Sequence, residues 1–434
     1  MAGLPATLLL MNSRTSSLCL LCPLLALTST GLAEWKVGRG AVSLETELSV
    51  AYDSNLRASA TQEEDYFVTL QPTLSYRESS SRFKTAVSAS LRSRRYLDQT
   101  ETNSDDADAS IIWNLLREGG HNSGGGIELD YFENSDALVD VNDRVQTKTF
   151  QATVNAEVLV AGDHLLSTLI LRRDTDRDVG SELVGRSATG TYTYLGLADG
   201  LQFDLSYQHQ ETTSTDVLTD ELRIDQTSRT ILGTLSRPLY TNARVAILYG
   251  YRWLDRGAME ALFELEDRSG AYFGVLLTGP FLPARLFPKT TGTFRLAYQE
   301  AESPGLNDES RARVVGELAL AWQARARTSF IAAARRSQDL SIVDSTVLNT
   351  GGSLTLRQEI GHFTRGELEL LFNRADYVGL GRLDDRYEAR ISARYSINRT
   401  WSARGAYSYL DSRSNVYSAT YDRHLVSLTA VYVY

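Results

Sequence analysis

The chain has two cysteines, Cys19 and Cys22, and none after them. Once an N-terminal leader is removed the mature protein carries no thiol, which suits an oxidising periplasmic route on which stray cysteines would cross-link. Beyond the N-terminus no apolar run approaches the ~18–20 residues of a membrane helix, so a helical membrane protein is excluded. Lysine is scarce, with 4 residues against 40 arginines. The formal net charge of -10 makes nucleic acid an unsuitable partner. There is no glycine-rich phosphate loop and no metal-ligand cluster. None of the histidines, His121, His164, His209, His362 and His424, stands with a serine or aspartate in a nucleophile arrangement, and three of them fall in expected periplasmic turns. We therefore expect no enzyme, no catalytic residue, no cofactor and no metal site.

What is present begins with a targeting segment. Arg14 precedes an apolar stretch from Leu18 to Leu27, and Gly31-Leu32-Ala33 offers the small residues a signal peptidase reads. Residues 1–33 are expected to be a cleaved signal peptide, with Met11 an alternative start. Neither cysteine is preceded by the small residues of a lipoprotein site. Residues 34–41 would be a short periplasmic N-terminus and 42–434 the folded body.

That body reads as roughly twenty segments of about 9–11 residues with apolar side chains at every second position, the period of a strand with lipid on one side and water on the other. Val245, Ile247, Tyr249, Tyr251 and Trp253 share one face, and Arg244, Gly250 and Arg252 the other. Tyr387, Ala389, Ile391, Ala393 and Tyr395 oppose Arg386, Glu388, Arg390, Ser392 and Arg394. Connections alternate. Polar, acidic stretches such as Asp53 to Glu64, Asp98 to Asp106 and Ser135 to Gln146 alternate with tight turns such as Glu78-Ser79-Ser80-Ser81, Gly162-Asp163, Ala324 to Arg327 and Asn398-Arg399. This pattern predicts an all-β fold: one transmembrane antiparallel up-and-down barrel of about 20 strands, with 18 the alternative because the segments near Gly124–Asn134 and Gly279–Pro288 are weakly patterned. Such a barrel belongs in a Gram-negative outer membrane, with lipid and lipopolysaccharide around it and the barrel-assembly machinery as a transient partner.

The 22 tyrosines and outward-phased Trp113, Trp253, Trp322 and Trp401 crowd segment ends, as interfacial girdles do. Acidic residues gather in the expected outside loops: Gln62-Glu63-Glu64-Asp65, Asp105-Asp106, Asp174 with Asp176 and Asp178, Asp220-Glu221 and Asp308-Glu309. The opposite phase would line a lumen. It carries Arg92, Arg94, Arg252, Arg295, Arg313, Arg357, Arg390, Arg394 and Arg404, with Glu128, Asp130, Glu157, Asp204, Glu317, Glu359, Glu367 and Glu369 among the carboxylates. Glu367 and Glu369 stand on the segment hairpinned to Arg390 and Arg394, so cross-strand ion pairs are expected there. Glu128, Asp130 and Glu157 form an acidic sector elsewhere. Opposed sectors would set a transverse field across a water-filled pore.

Tyr52-Asp53-Ser54-Asn55-Leu56, the stretch Tyr407 to Asn415 and Tyr421-Asp422-Arg423-His424 resemble the corresponding places in outer-membrane beta-barrel porins linked to exopolysaccharide and capsule systems. Val426, Leu428, Ala430, Tyr432 and Tyr434 resemble the terminal signature read by the barrel-assembly machinery, with Tyr in place of the usual closing Phe. The resemblance implies an outer-membrane barrel with transport or polysaccharide export as its work, and carries no residue-level site. Two functions follow. One is a passive porin-like channel for small polar solutes, favoured because no plug domain precedes the first segment. The other is an accessory barrel in exopolysaccharide or capsule export, for which the inward aromatics Phe67, Phe132 and Tyr272 make a short stacking track.

Overall fold

The computed structural model describes residues 34–115, 123–138, 143–177, 181–196, 200–216, 223–240, 242–258, 268–282, 285, 287–299, 313–340, 346–378, 381–416 and 420–434. Twenty-one strands, β1 to β21 in chain order, form one antiparallel sheet. From β2 (Gly40–Asp53) onward each strand pairs with its sequence neighbours, and β21 (Tyr421–Val433) returns to pair with β2. Twenty strands thus close into a barrel and leave no free edge in its wall. The seam runs from Glu45 opposite Val433 to Asp53 opposite Leu425, and Leu44 and Tyr434 exchange backbone hydrogen bonds at 3.0 and 2.8 Å. Because the strand number is even, Gly40 and Val433 lie at one end, the terminal end. The opposite rim is the loop end.

β1 (Trp35–Val37) is additional to the barrel. It folds back on the start of β2, with Trp35 opposite Val42 and its ring 4.6 Å from that of Tyr434. Part of residues 34–41, expected as a short periplasmic N-terminus, is therefore paired to the wall.

Alternation along each strand gives the wall its two faces. On β19 (Arg382–Ser396) Tyr387, Ile391 and Tyr395 are exposed, as are Ile247, Tyr249 and Trp253 on β12 (Ala243–Ala258). The alternates on β19, Glu388, Arg390 and Arg394 among them, are polar, whereas on β12 the apolar Ala246 and Leu248 lie buried between Arg244 and Arg252. Concavities occur on that polar side: one of about 500 Å³ is lined by Glu367, Glu369, Arg390, Arg404, Ser408 and Leu410 among others. In a closed barrel the concave face is the interior, so the apolar residues point out. Aromatic pairs mark two levels on the outer face. Trp401 meets Tyr432 at 4.9 Å near the terminal end, and Phe372 meets Tyr387 at 5.1 Å toward the loop end. Eight residues separate Tyr387 from Tyr395, about 27 Å at the antiparallel strand rise. An outer-membrane barrel needs an apolar band of about 25 Å.

Apart from β14, the barrel strands outrun the expected length. β14 (Thr290–Gln299) has 10 residues and β7 (Asp143–Ala161) has 19. A ladder is held by backbone hydrogen bonds, so hairpins continue past the apolar band where side chains turn polar. Several expected connections are consequently strand. β6 (Ser123–Leu138) and β7 take up Ser135 to Leu138 and Asp143 to Gln146, and β5 (Ser104–Leu115) contains Asp105 and Asp106. β8 (His164–Arg177) contains Asp174 and Asp176. Asp178, Asp220-Glu221, Asp308-Glu309 and His121 lie outside the described residues. Of the weakly patterned segments, Gly124–Asn134 lies within β6, whereas Gly279 ends β13 (Arg268–Gly279) and β14 starts only at Thr290. The barrel count is twenty.

Candidate functional site

Cross-strand register decides what the polar face holds together. On β17 (Thr346–Ile360) and β18 (Thr364–Val378) Arg357 stands opposite Glu367 and donates Nε to it at 2.7 Å. Glu369 stands opposite Arg390, which reaches it through Nη1 at 3.3 Å and donates Nε to Glu388 at 2.6 Å. Arg404 on β20 (Trp401–Ser414) lies 3.6 Å from Glu47 on β2, across β21. Arg394 differs. Its register neighbours are Arg365 and Arg404, and its Nε donates to Ser402 Oγ at 3.1 Å. The expected partnership of Glu367 with the arginines of β19 is not made, because Ser392 occupies the opposing position.

The remaining arginines are held locally. Arg295 donates Nε to the Tyr272 hydroxyl at 2.7 Å and lies over that ring, with Glu317 opposite in register. Arg252 donates to Ser228 Oγ at 3.0 Å. On β4 (Phe83–Tyr96) Arg92 is 3.6 Å from the fully buried Asp106, and Arg94 packs 5.4 Å from the Phe67 ring centroid. The side chain of Arg313 lies outside the described residues.

The acidic sector is built otherwise. Glu128 and Asp130 on β6 face Thr153 and Gln151 on β7, while Glu157 faces Gly124 on one side and Ser167 on the other. On the β5 side Glu128 faces Ile112 and Asp130 faces Ser110, so register offers the three no cation, and none of them makes an ion pair among the described residues. Asp130 lines a concavity of about 250 Å³ with Asp108, Ser110, Phe132 and Gln151.

One feature escaped the reading of the sequence. The connection between β2 and β3 (Asp65–Ser79) is not a solvated loop: Asn55 and Leu56 are fully buried, and Ala58 and Ser59 nearly so. Asp53 forms a bidentate pair with Arg423 at 2.9 and 2.5 Å. Asn55 Nδ2 donates to the backbone of Ser59 and Asp422, at 2.8 and 3.1 Å. The two short motifs around Tyr52–Leu56 and Tyr421–His424 thus meet at the seam. An apolar Leu56 inside a polar stretch was the available signal.

Among the described residues no group of His, Asp and Glu is placed to hold a metal ion. His164 stacks on Tyr194 at 4.8 Å, and His424 lies tilted against Tyr409 at 4.9 Å, both as members of aromatic clusters.

The copper transporter OprC has a TM-score of 0.51 to this chain at 9% identity, over 92% of this chain and 81% of that one. The siderophore receptor PiuA from Acinetobacter baumannii gives 0.48 at 9%, over 92% and 82%, and the ferric citrate transporter FecA 0.48 at 9%, over 90% and 78%. At these identities the likeness is one of fold. No curated protein matches the sequence. Residues 288–433, which hold β14 to β21, match the model of the family described as "Putative beta-barrel porin 2".

Proposed function

We propose that the protein is an outer-membrane barrel of Gram-negative type that acts as a passive channel for small polar solutes. The observation that carries this reading is the interior face of β17 to β20 and of β6 and β7: there charged and hydroxyl side chains stand on neighbouring strands, in positions that a water-filled lumen hydrates and an apolar core would not tolerate. The porin family matched by residues 288–433 supports it. A stacking track for glycans is short, because Phe67 is buried and Tyr272 is bonded to Arg295, leaving Phe132 on a concavity. Single-channel recording of the purified barrel in planar bilayers tests the proposal. Stepwise conductance is expected. A folded barrel that conducts nothing would overturn it in favour of an accessory role in envelope polysaccharide export.

A further inference from the structure

The buried first loop, residues 54–64, lies on the interior face of the barrel. Leu56 packs with Ala51, Phe67 and Tyr96, and Ala58 with Leu410 and Tyr421. These partners alternate with residues of the outer face: Val50 precedes Ala51, Tyr66 precedes Phe67, and both Val50 and Tyr66 are exposed. Leu410 also lines the same concavity as Glu369 and Arg390. The loop therefore covers the inner side of β20, β21, β2, β3 and β4, five adjacent strands of twenty, at the loop end.

It is held there on both sides of the seam. Ser54 N donates to the His424 carbonyl at 3.0 Å and His424 N to Ser54 Oγ at 2.8 Å. Gln62 Nε2 donates to Asp422 Oδ1 at 2.8 Å, and Leu56 N to the Glu63 carbonyl at 2.8 Å. Ala58 sits at φ +50°, a left-handed conformation that a non-glycine residue keeps only where its surroundings fix it. The next connection leans on the same corner, since Asp65 Oδ2 accepts from the backbone of Asp98 and Gln99 at 2.9 and 2.8 Å.

The charges of residues 56–63 cancel, and the carboxylate that remains beside them turns to the outward-phased Tyr52. Arg57 pairs with Glu63 at 3.1 Å, and Glu64 accepts from the Tyr52 hydroxyl at 2.5 Å. We propose that this loop is a fixed steric narrowing of the channel mouth: it limits solute size and conductance without setting ion preference, which is left to the charged wall below. The proposal rests on the channel reading above.

Two constructions test it in the full mature chain. Replacing residues 56–63 with two glycines, which takes out Arg57 together with its partner Glu63 and so leaves the net charge of the mouth unchanged, should raise single-channel conductance on the order of one-and-a-half-fold, as widening a constriction does, and leave the reversal potential in a salt gradient unchanged. Unaltered conductance in a barrel that still migrates heat-modifiably would overturn the narrowing, and a shifted reversal potential would overturn its steric character. Because the chain has no cysteine beyond Cys22, the pair Ala58→Cys and Leu410→Cys can be oxidised alone. A disulfide should form in the folded barrel without changing conductance. Failure to form it would overturn the inward placement, even if the loop replacement destabilised the protein. Silence of both wild type and loop variant would remove the channel reading together with the narrowing, whereas a conducting wild type indifferent to the replacement would remove the narrowing alone.

Discussion

The wall of β17 to β20 and the wall of β6 and β7 both face the interior, yet they treat charge in opposite ways. In the first, Arg357, Arg390 and Arg404 each have a carboxylate within ion-pair distance. In the second, Glu128, Asp130 and Glu157 stand opposite threonine, glutamine, glycine and serine. A count of lumen charges makes the arginine wall the more polarising of the two. Pairing reverses that order, because a compensated arginine presents a dipole to the lumen and an uncompensated carboxylate presents a full charge. From β19 through the seam to β6 is seven strand steps in a ring of twenty, so the two fields act on different parts of the lumen.

The contrast depends on the assignment of faces, and the largest expected effect tests that. Ile391→Arg in the paired wall and Ile127→Arg in the acidic wall place a guanidinium on the lipid side. Each should cost about 2–4 kcal/mol near the membrane midplane, against far less for Ser392→Arg on the interior face. Refolding titrations in detergent or lipid measure this directly. Equal costs at 391 and 392 would show that the strand is out of phase and that neither wall faces water.

Next in size is the selectivity of the acidic wall. Neutralising Glu128, Asp130 and Glu157 together, to Gln, Asn and Gln, should move the reversal potential toward anions. The shift should be greater at 0.01 M salt, where the screening length is about 30 Å, than at 1 M, where it is about 3 Å. If the shift is no larger than that from neutralising whole pairs, Arg357 with Glu367, Arg390 with Glu369 and Arg404 with Glu47, the distinction between paired and unpaired walls fails.

Much of this was legible in the sequence because a barrel strand is a local object. The outward set Tyr387, Ile391 and Tyr395 follows from period two alone, and the return of β21 to β2 follows from an even count and the need to close an edge. Strand ends were not legible at Asp105, Asp106, Asp174 and Asp176, since backbone pairing continues where hydrophobicity stops. Partner identity depends on register. Glu369 with Arg390 could be anticipated from one hairpin, but Arg404 with Glu47 joins strands at opposite ends of the chain, and no local spacing encodes it. The burial of Asn55 likewise depends on Asp422, and that of Ala58 on Leu410 and Tyr421, more than 350 residues away.

The smallest expected effect lies within the arginine wall and separates its members. Arg390 touches Glu369 and Glu388, so Arg390→Gln removes one positive charge, releases Glu369 and leaves Glu388 to Arg386 alone at 3.8 Å, a net move toward cation preference. Arg394 has a hydroxyl for its partner and arginines on both flanks, Arg365 and Arg404, in the register that places like charges side by side. Arg365 is bonded to Glu359 at 3.1 Å, and Arg404 approaches Glu47, so Arg394 is the member of this row without a carboxylate. Arg394→Gln should therefore leave the barrel at least as stable, because it relieves a repulsion while breaking no ion pair. It should also remove the one spot on this wall where an anion gains from entering. The expected signature is a modest loss of anion permeability at low salt with no fall in resistance to denaturant, whereas Arg390→Gln should lower that resistance. Loss of stability at Arg394 equal to that at Arg390 would mean that the row is held together by a counter-charge, and that the paired wall is neutral throughout.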